Sequence, residues 1–384
     1  MGRNRFFILF TMVFPSFVLV AQDAVDKCGT FSVVRQLTEE RKLRTETRFA
    51  ARPSLQKSRL TPNGKVRIHY DTSGVNQPAF VTVTYVNTVK TVTRIPNTFE
   101  QYIDTVVAVF DSVWRAEIDH FGFDVPPADG GAGGGNEYDV YVENISGGIF
   151  GVTTPEDPVG PNRTNRQYTT FIRIDNDFGT GFRTNGIEAI LATAAHEFHH
   201  AVQIGGAGIW NSQYSFFYEL CAEAMEHIVF RHAKDYLFDV RTYFRNISGT
   251  SLFQRPVSIE TAGYERAVWG IFLIRKFGIA VMRDIWTEIG NREPIAALSA
   301  VLHARSTSIE REFANFTYWN FFTAYRADSA KYYPDAKLYP AVALYQTVNA
   351  TSSIQDISLT AGSFAPYYIK AATGTDSAFL IISN

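Results

Sequence analysis

One stretch, residues 187–219, constrains this chain more than any other. It contains His196-Glu197-Phe198-His199-His200, then eighteen residues, Ala201 to Tyr218, then Glu219. On a helix, His196 and His200 stand one turn apart and point the same way. Two imidazoles on one face can hold a zinc ion, and the Glu between them can act as base on a water at the metal. A carboxylate from a following helix, Glu219, would complete three protein ligands. The fourth position would stay open for water or substrate, which separates a catalytic zinc from a structural one. The flanks favour a helix. Asn185 reads as an N-cap with Glu188 as its capping-box partner. Ile187, Ile190, Leu191, Ala194, Ala195, Phe198 and Val202 supply a wide apolar face, and Gly205-Gly206 reads as the stop.

The chain has 384 residues, enough for a large core, so one two-lobed unit plus a smaller module is expected. Its 46% hydrophobic and 19% charged residues are an ordinary globular balance. A net charge of −2 with no basic stripe argues against nucleic acid as a partner. Residues 1–21 have the build of a secretory signal: Arg3 and Arg5, an apolar run Phe6 to Val20, and small Ala21. The run is short and broken by Pro15. No other stretch approaches the roughly 18 apolar residues of a spanning helix, so the expected location is secreted, extracellular or periplasmic, without a stable membrane anchor. Cys28 and Cys221 are the only cysteines. They allow a disulfide, two free thiols, or a leader thiolate at the metal.

Residues 31–60 carry eight basic side chains with little apolar periodicity and read as an exposed arm or pro-segment within a leader, 22–63. Val66 to Tyr70, Tyr138 to Val142 and Tyr168 to Asp175 alternate as strands, and Phe80 to Val86 is either a strand or a continued loop. Phe99 to Trp114 has helical spacing behind Asn97 and Thr98. The glycine-rich run Asp129 to Asn136 lacks the setting of a phosphate loop and reads as a surface loop, and Asp175-Asn176-Asp177 reads as a turn. Calcium is the alternative occupant at either place. An extended substrate could pair with a free edge of the strand Tyr168 to Asp175 beside the metal.

After Glu219 the helical pattern runs to His232, with Glu219, Glu223 and Glu226 on one face of a largely apolar helix. Buried carboxylates need a metal, a proton or hydrogen bonds. Glu223 or Glu226 is therefore expected to hold the outer nitrogen of a metal-binding histidine. His199 is expected to be a bystander. His227 and His232 have ordinary packing roles as the alternative to a second metal. Further helices are expected at Tyr264 to Gly278, Val281 to Ile289, Pro294 to His303 and Ile309 to Tyr325. Residues 336–384 read as a β-rich segment that is possibly truncated.

The pattern His196, Glu197, His200 and Glu219 resembles the gluzincins, zinc peptidases that include the thermolysin-like enzymes and related aminopeptidases. The run Phe171 to Glu226, with Ala-His-Glu-Phe-His-His-Ala-Val-Gln, is similar to a group of secreted bacterial metalloproteases in that clan, and the likeness extends over roughly 64–300. It implies an α+β, zincin-like two-lobe domain over 64–335, with a mixed N-terminal lobe and a mainly helical C-terminal one. It implies Zn²⁺ on His196, His200 and Glu219, Glu197 as general base, and Tyr264 as a donor to the oxyanion of a peptide substrate. The aminopeptidase segment Gly-x-Met-Glu-Asn is missing, which favours an endopeptidase, and the Asp of the thermolysin-like enzymes is replaced by Glu223. A non-proteolytic zinc hydrolase and a secreted binding or adhesion protein on an inactive scaffold are the other expectations.

Overall fold

The computed structural model describes residues 27–41, 51–145, 147–161, 164–254, 263–343, 346–349 and 362–370. The signal-like residues 1–21 and most of 356–384 lie outside them. The N-terminal half of the described residues holds seven strands: β1 (Lys57–Leu60), β2 (Val66–Tyr70), β3 (Val81–Val86), β4 (Val89–Arg94), β5 (Tyr138–Glu143), β6 (Gly151–Val159) and β7 (Gln167–Asp175). Five of them make one sheet in the order β1-β2-β5-β7-β6, while β3 and β4 form a separate hairpin. The sheet's centre, β2-β5-β7, is parallel, and each edge strand is antiparallel to its neighbour.

The central strands carry Val66, Ile68, Val140, Val142, Ile172 and Ile174 with no exposed surface. A parallel core of this kind needs cover, and helices α2 (Phe99–Trp114) and α3 (Gly186–Val202) provide it. As the spacing predicts, α2 buries Tyr102, Ile103, Val106, Phe110 and Val113. Phe198 of α3 packs its ring against Trp114 of α2 and Tyr138 of β5, centroids 5.7 Å away in each case. A fully buried Phe contributes about 2–3 kcal/mol, so this one side chain fixes the rotation of α3 and hence the direction of its histidines.

The remaining helices run α4 (Ser215–Val229), α5 (Leu237–Arg245), α6 (Ala267–Phe277), α7 (Ala280–Ile289), α8 (Pro294–His303) and α9 (Ile309–Phe321), after a short α1 (Thr30–Arg41). A two-stranded parallel pairing, β8 (Gln346–Asn349) with β9 (Tyr367–Lys370), is what the described residues contain of the β-prone end. The fold is thus mixed helix and sheet.

Several sequence expectations need correction. Asn185 makes no capping hydrogen bond: its Nδ2 donates to Phe178 and Gly179 carbonyls, and Glu188 accepts from the Lys234 amide. Ile187 is exposed. Gly205 and Gly206 do not end the helix but lie in a π turn, Gln203–Ala207, and the chain turns away at Gly208. Residues 51–60 are largely exposed but are not a free arm: the half-buried Arg52 pairs with Asp129, Asp139 and Glu156, and β1 extends the main sheet. Tyr168 to Asp175 offers no free edge, because β6 covers it. Pro155 and Pro158 disguised β6 as a loop, yet prolines suit an edge strand, where one row of N–H groups has no ladder partner to lose.

Candidate metal centre

Helix α3 presents His196 and His200 on one face, and α4 packs against it with Glu219 facing them. All three side chains are buried. Glu219 Oε2 lies 3.0 Å from His196 Nε2 and 3.2 Å from His200 Nε2, and the two Nε2 atoms are 3.2 Å apart. Four tetrahedral ligand atoms at metal distances of about 2.0–2.1 Å would be separated by about 3.3 Å. The observed triangle has that size.

The outer nitrogens explain why these atoms converge. Gln203 donates its Nε2 to the Tyr218 carbonyl at 3.1 Å, which turns its Oε1 toward His200 Nδ1 at 2.7 Å. His200 therefore carries its proton on Nδ1 and points a lone pair inward. His196 Nδ1 lies 2.9 Å from Glu226 Oε1, and Glu223 Oε2 is 3.5 Å away, so the same tautomer is favoured. Of the two carboxylates expected for this role, Glu226 makes the hydrogen bond. Two lone pairs and a carboxylate oxygen meeting in a buried space require a cation among them. In the metal-free protein a proton serves. Burial would lower His196, but hydrogen bonds with Cys28, Glu219, Glu223 and Glu226 raise it well above the usual imidazole value. Burial would likewise raise the Glu219 carboxyl, but His200 and His196 hold it at about 2.

Cys28 joins the same group. One donor atom each from Cys28, His196, His200 and Glu219 lies within 4.8 Å of the others, and all four residues are buried. Neither cysteine is in a disulfide, so that option for Cys28 and Cys221 is set aside. Burial, then Glu197 and Glu219, push the Cys28 thiol up, against a hydrogen bond and charge from His196 that lower it.

Glu197 lines the same cavity as His196 and reaches the edge strand. Its Oε2 accepts from Thr153 Oγ1 at 2.7 Å and from Thr30 Oγ1 at 3.1 Å. Strand β6 reaches it because residue 151 is glycine: a Cβ there would sit 2.7 Å from Glu197 Cγ and 2.8 Å from Thr193 Cγ2. Tyr264 begins a 3₁₀ turn, Tyr264–Arg266, before α6, and its ring centroid is 5.8 Å from that of His196. Gly263, at φ +116°, permits the approach, since a Cβ would lie 2.5 Å from the Phe216 carbonyl oxygen. The Tyr264 hydroxyl accepts from the Cys28 amide at 3.2 Å. The structure thus gathers His196, His200, Glu219, Glu197 and Tyr264 in one place.

Beside the centre lies a dense acidic group, Glu223, Glu226 and Asp235, filled by the Lys27 ammonium at 2.6, 2.6 and 2.9 Å. Arg183 adds a second cation between Asp235 and Asp239. Burial alone would lower Lys27, but Asp235, Glu223 and Glu226 keep it charged. Sequence reasoning did not find Lys27, Asp235, Arg183, Thr30, Thr153 or Gln203. Only Gln203 carried a signal, three residues beyond His200 on the same helical face.

His199 faces away, as expected of a bystander. It pairs with Glu117 at 2.8 Å and meets the edges of Phe123 and Trp286. His227 stacks on Tyr236 and lies 3.6 Å from Asp335. Burial lowers it to about 4, so it packs as a neutral ring. Asp175 accepts from the amides of Asp177, Phe178 and Ile145, which accounts for the turn without an ion. No helix among the described residues is long and apolar enough to cross a membrane. No known family model matches the chain, and no curated protein matches it either, so what the centre can bind rests on its own donor set: two imidazoles, one carboxylate and one thiol.

Proposed function

We propose that the chain is a secreted zinc metalloendopeptidase of zincin-like, two-lobe build, with His196, His200 and Glu219 holding the ion. The observation that carries this reading is the inward convergence of two imidazole lone pairs and a carboxylate, with Gln203 and Glu226 holding the rings from outside. Two nitrogens and one oxygen form a borderline-soft donor set suited to zinc. When bound, zinc supplies a Lewis acid that polarises a carbonyl and makes water acidic enough to react near neutral pH. Glu197 stands next to the ligand His196 on α3, where its carboxylate can take a proton from water and hand it to the leaving amine. Tyr264 can donate its hydroxyl proton to the oxyanion. The edge strand β6 runs beside these groups, and an edge strand can pair with an extended peptide.

Hydrolysis of a mixed peptide pool, read by mass spectrometry, tests the reading on zinc-loaded chain and on Cys28→Ala. New peptide ends from zinc-loaded Cys28→Ala, lost when Glu197→Gln is added at unchanged zinc content, are expected. Zinc-loaded Cys28→Ala that leaves every peptide intact would overturn the peptidase reading. It would then favour a non-proteolytic hydrolase or a binding protein.

A further inference from the structure

We propose that residues Lys27 to Phe31 are a built-in inhibitor, with the Cys28 thiolate as fourth ligand of the metal, and that the full chain is latent until this segment leaves. The proposal rests on the metallopeptidase reading above and adds its regulation.

Within five residues the segment touches every group the reaction needs. Cys28 Sγ lies within 4.8 Å of donor atoms of His196, His200 and Glu219, close enough to serve as a fourth ligand. The Cys28 amide donates to the hydroxyl of Tyr264. Thr30 Oγ1 donates to Glu197, the proposed base, and accepts from the Thr153 amide at 2.9 Å. Phe31 sets its ring edge-on to His200 and to Tyr218, centroids 5.7 and 5.3 Å apart.

The backbone is held as a bound peptide would be. Phe150 N donates to the Lys27 carbonyl at 2.8 Å, Gly29 N donates to the Gly151 carbonyl at 3.0 Å, and Cys28 forms a parallel bridge with Gly151. This is the start of β6, the edge left open by the rest of the sheet. Lys27 fastens the segment by placing its ammonium among Glu223, Glu226 and Asp235. A segment that merely packed there would have no reason to direct a thiol at two imidazoles and a carboxylate.

The chemistry is simple exchange. As sulfur binds the metal the thiol proton leaves to solvent. On release a water takes the position and the thiolate recovers a proton, with no change of oxidation state. Cysteine sulfur is a good zinc ligand, so the closed state is favoured while the segment is tethered nearby.

The test uses the full chain loaded with Co²⁺ in place of zinc, read by absorption spectroscopy and metal content, with peptide hydrolysis measured in parallel. The wild-type protein should bind one cobalt per chain and show the near-ultraviolet charge-transfer band of a thiolate–cobalt bond. Cys28→Ser should keep the cobalt, lose the band, and raise hydrolysis from background. Should Cys28→Ser fail to fold, Cys28→Ala serves the same purpose. Cobalt bound without the band, or a band that survives in the variants, would overturn the inhibitor. A band lost in Cys28→Ser with hydrolysis still absent would support the thiolate ligand while contradicting the peptidase reading. No cobalt in either protein would overturn both.

Discussion

Helix α3 carries two histidine–carboxylate arrangements that look alike in sequence and differ in kind. On one face His196 and His200 meet Glu219, with Cys28 alongside. One residue away, His199 meets Glu117. All are buried, and both sets have imidazole–carboxylate contacts near 3 Å. The difference lies in convergence. At His199 one imidazole nitrogen meets one carboxyl oxygen at 2.8 Å, and burial raises the Glu117 carboxyl and lowers the imidazole. At His196 and His200 the outer nitrogens are already occupied, and the two inner nitrogens and a carboxylate oxygen lie within 3.2 Å of one another. A buried His–Glu pair is therefore not a metal site. Nitrogen and oxygen atoms converging from two helices could hold a metal ion.

The largest expected contrast is metal-linked stability. With free zinc at about 1,000 times its Kd, the wild-type protein should gain about 4 kcal/mol against unfolding. His200→Ala should lose that gain and His199→Ala should keep it, as thermal melts with and without zinc would show. Equal gains in both variants would erase the distinction between the faces. Next, Gln203→Leu should weaken zinc binding about 10–100-fold while leaving three ligands in place, because the outer partner orients His200. Competition with a chromogenic chelator measures it, and unchanged affinity would mean that the His200 tautomer is set some other way. Smaller still, His199→Ala should cost roughly 1–3 kcal/mol in denaturant unfolding, with or without metal, by stranding a buried carboxyl.

The smallest effect is in pH dependence. His196 is raised in the metal-free protein, so its contribution to stability is fully present below about pH 6.5 and is lost as pH rises through its folded value. His199 is lowered, so its contribution is present above about pH 6.5 and is lost as pH falls toward its folded value. Ring resonances followed by NMR should titrate in opposite directions from the ordinary value, and adding zinc should deprotonate His196 alone. Parallel titration of the two rings would contradict the contrast.

The candidate ligand set was legible in sequence because it is local: a four-residue interval on a helix and a Glu on the next one bury together with their apolar neighbours. Helix α2 was legible for the same reason, a regular apolar stripe from Tyr102 to Val113. The partners of the site were not. Lys27 finds Asp235 and Thr30 finds Glu197 across 208 and 167 residues, and no periodicity encodes such pairings. Strand β6 hid behind its prolines, and Arg52 looked like part of a solvated basic run although three carboxylates wait for it in the fold. Cys28 was noticed as a candidate thiolate at the metal, but only the pairing of its segment with β6 brings it beside His196, His200 and Glu219.

Metal content after equilibration with zinc and removal of the excess tests the central claim most directly, compared among the wild-type chain, Glu219→Ala and His199→Ala. One zinc per chain is predicted for the wild type and for His199→Ala, with a marked loss in Glu219→Ala. No zinc in the folded wild-type protein, or zinc retained in full by Glu219→Ala and lost by His199→Ala, would contradict the account.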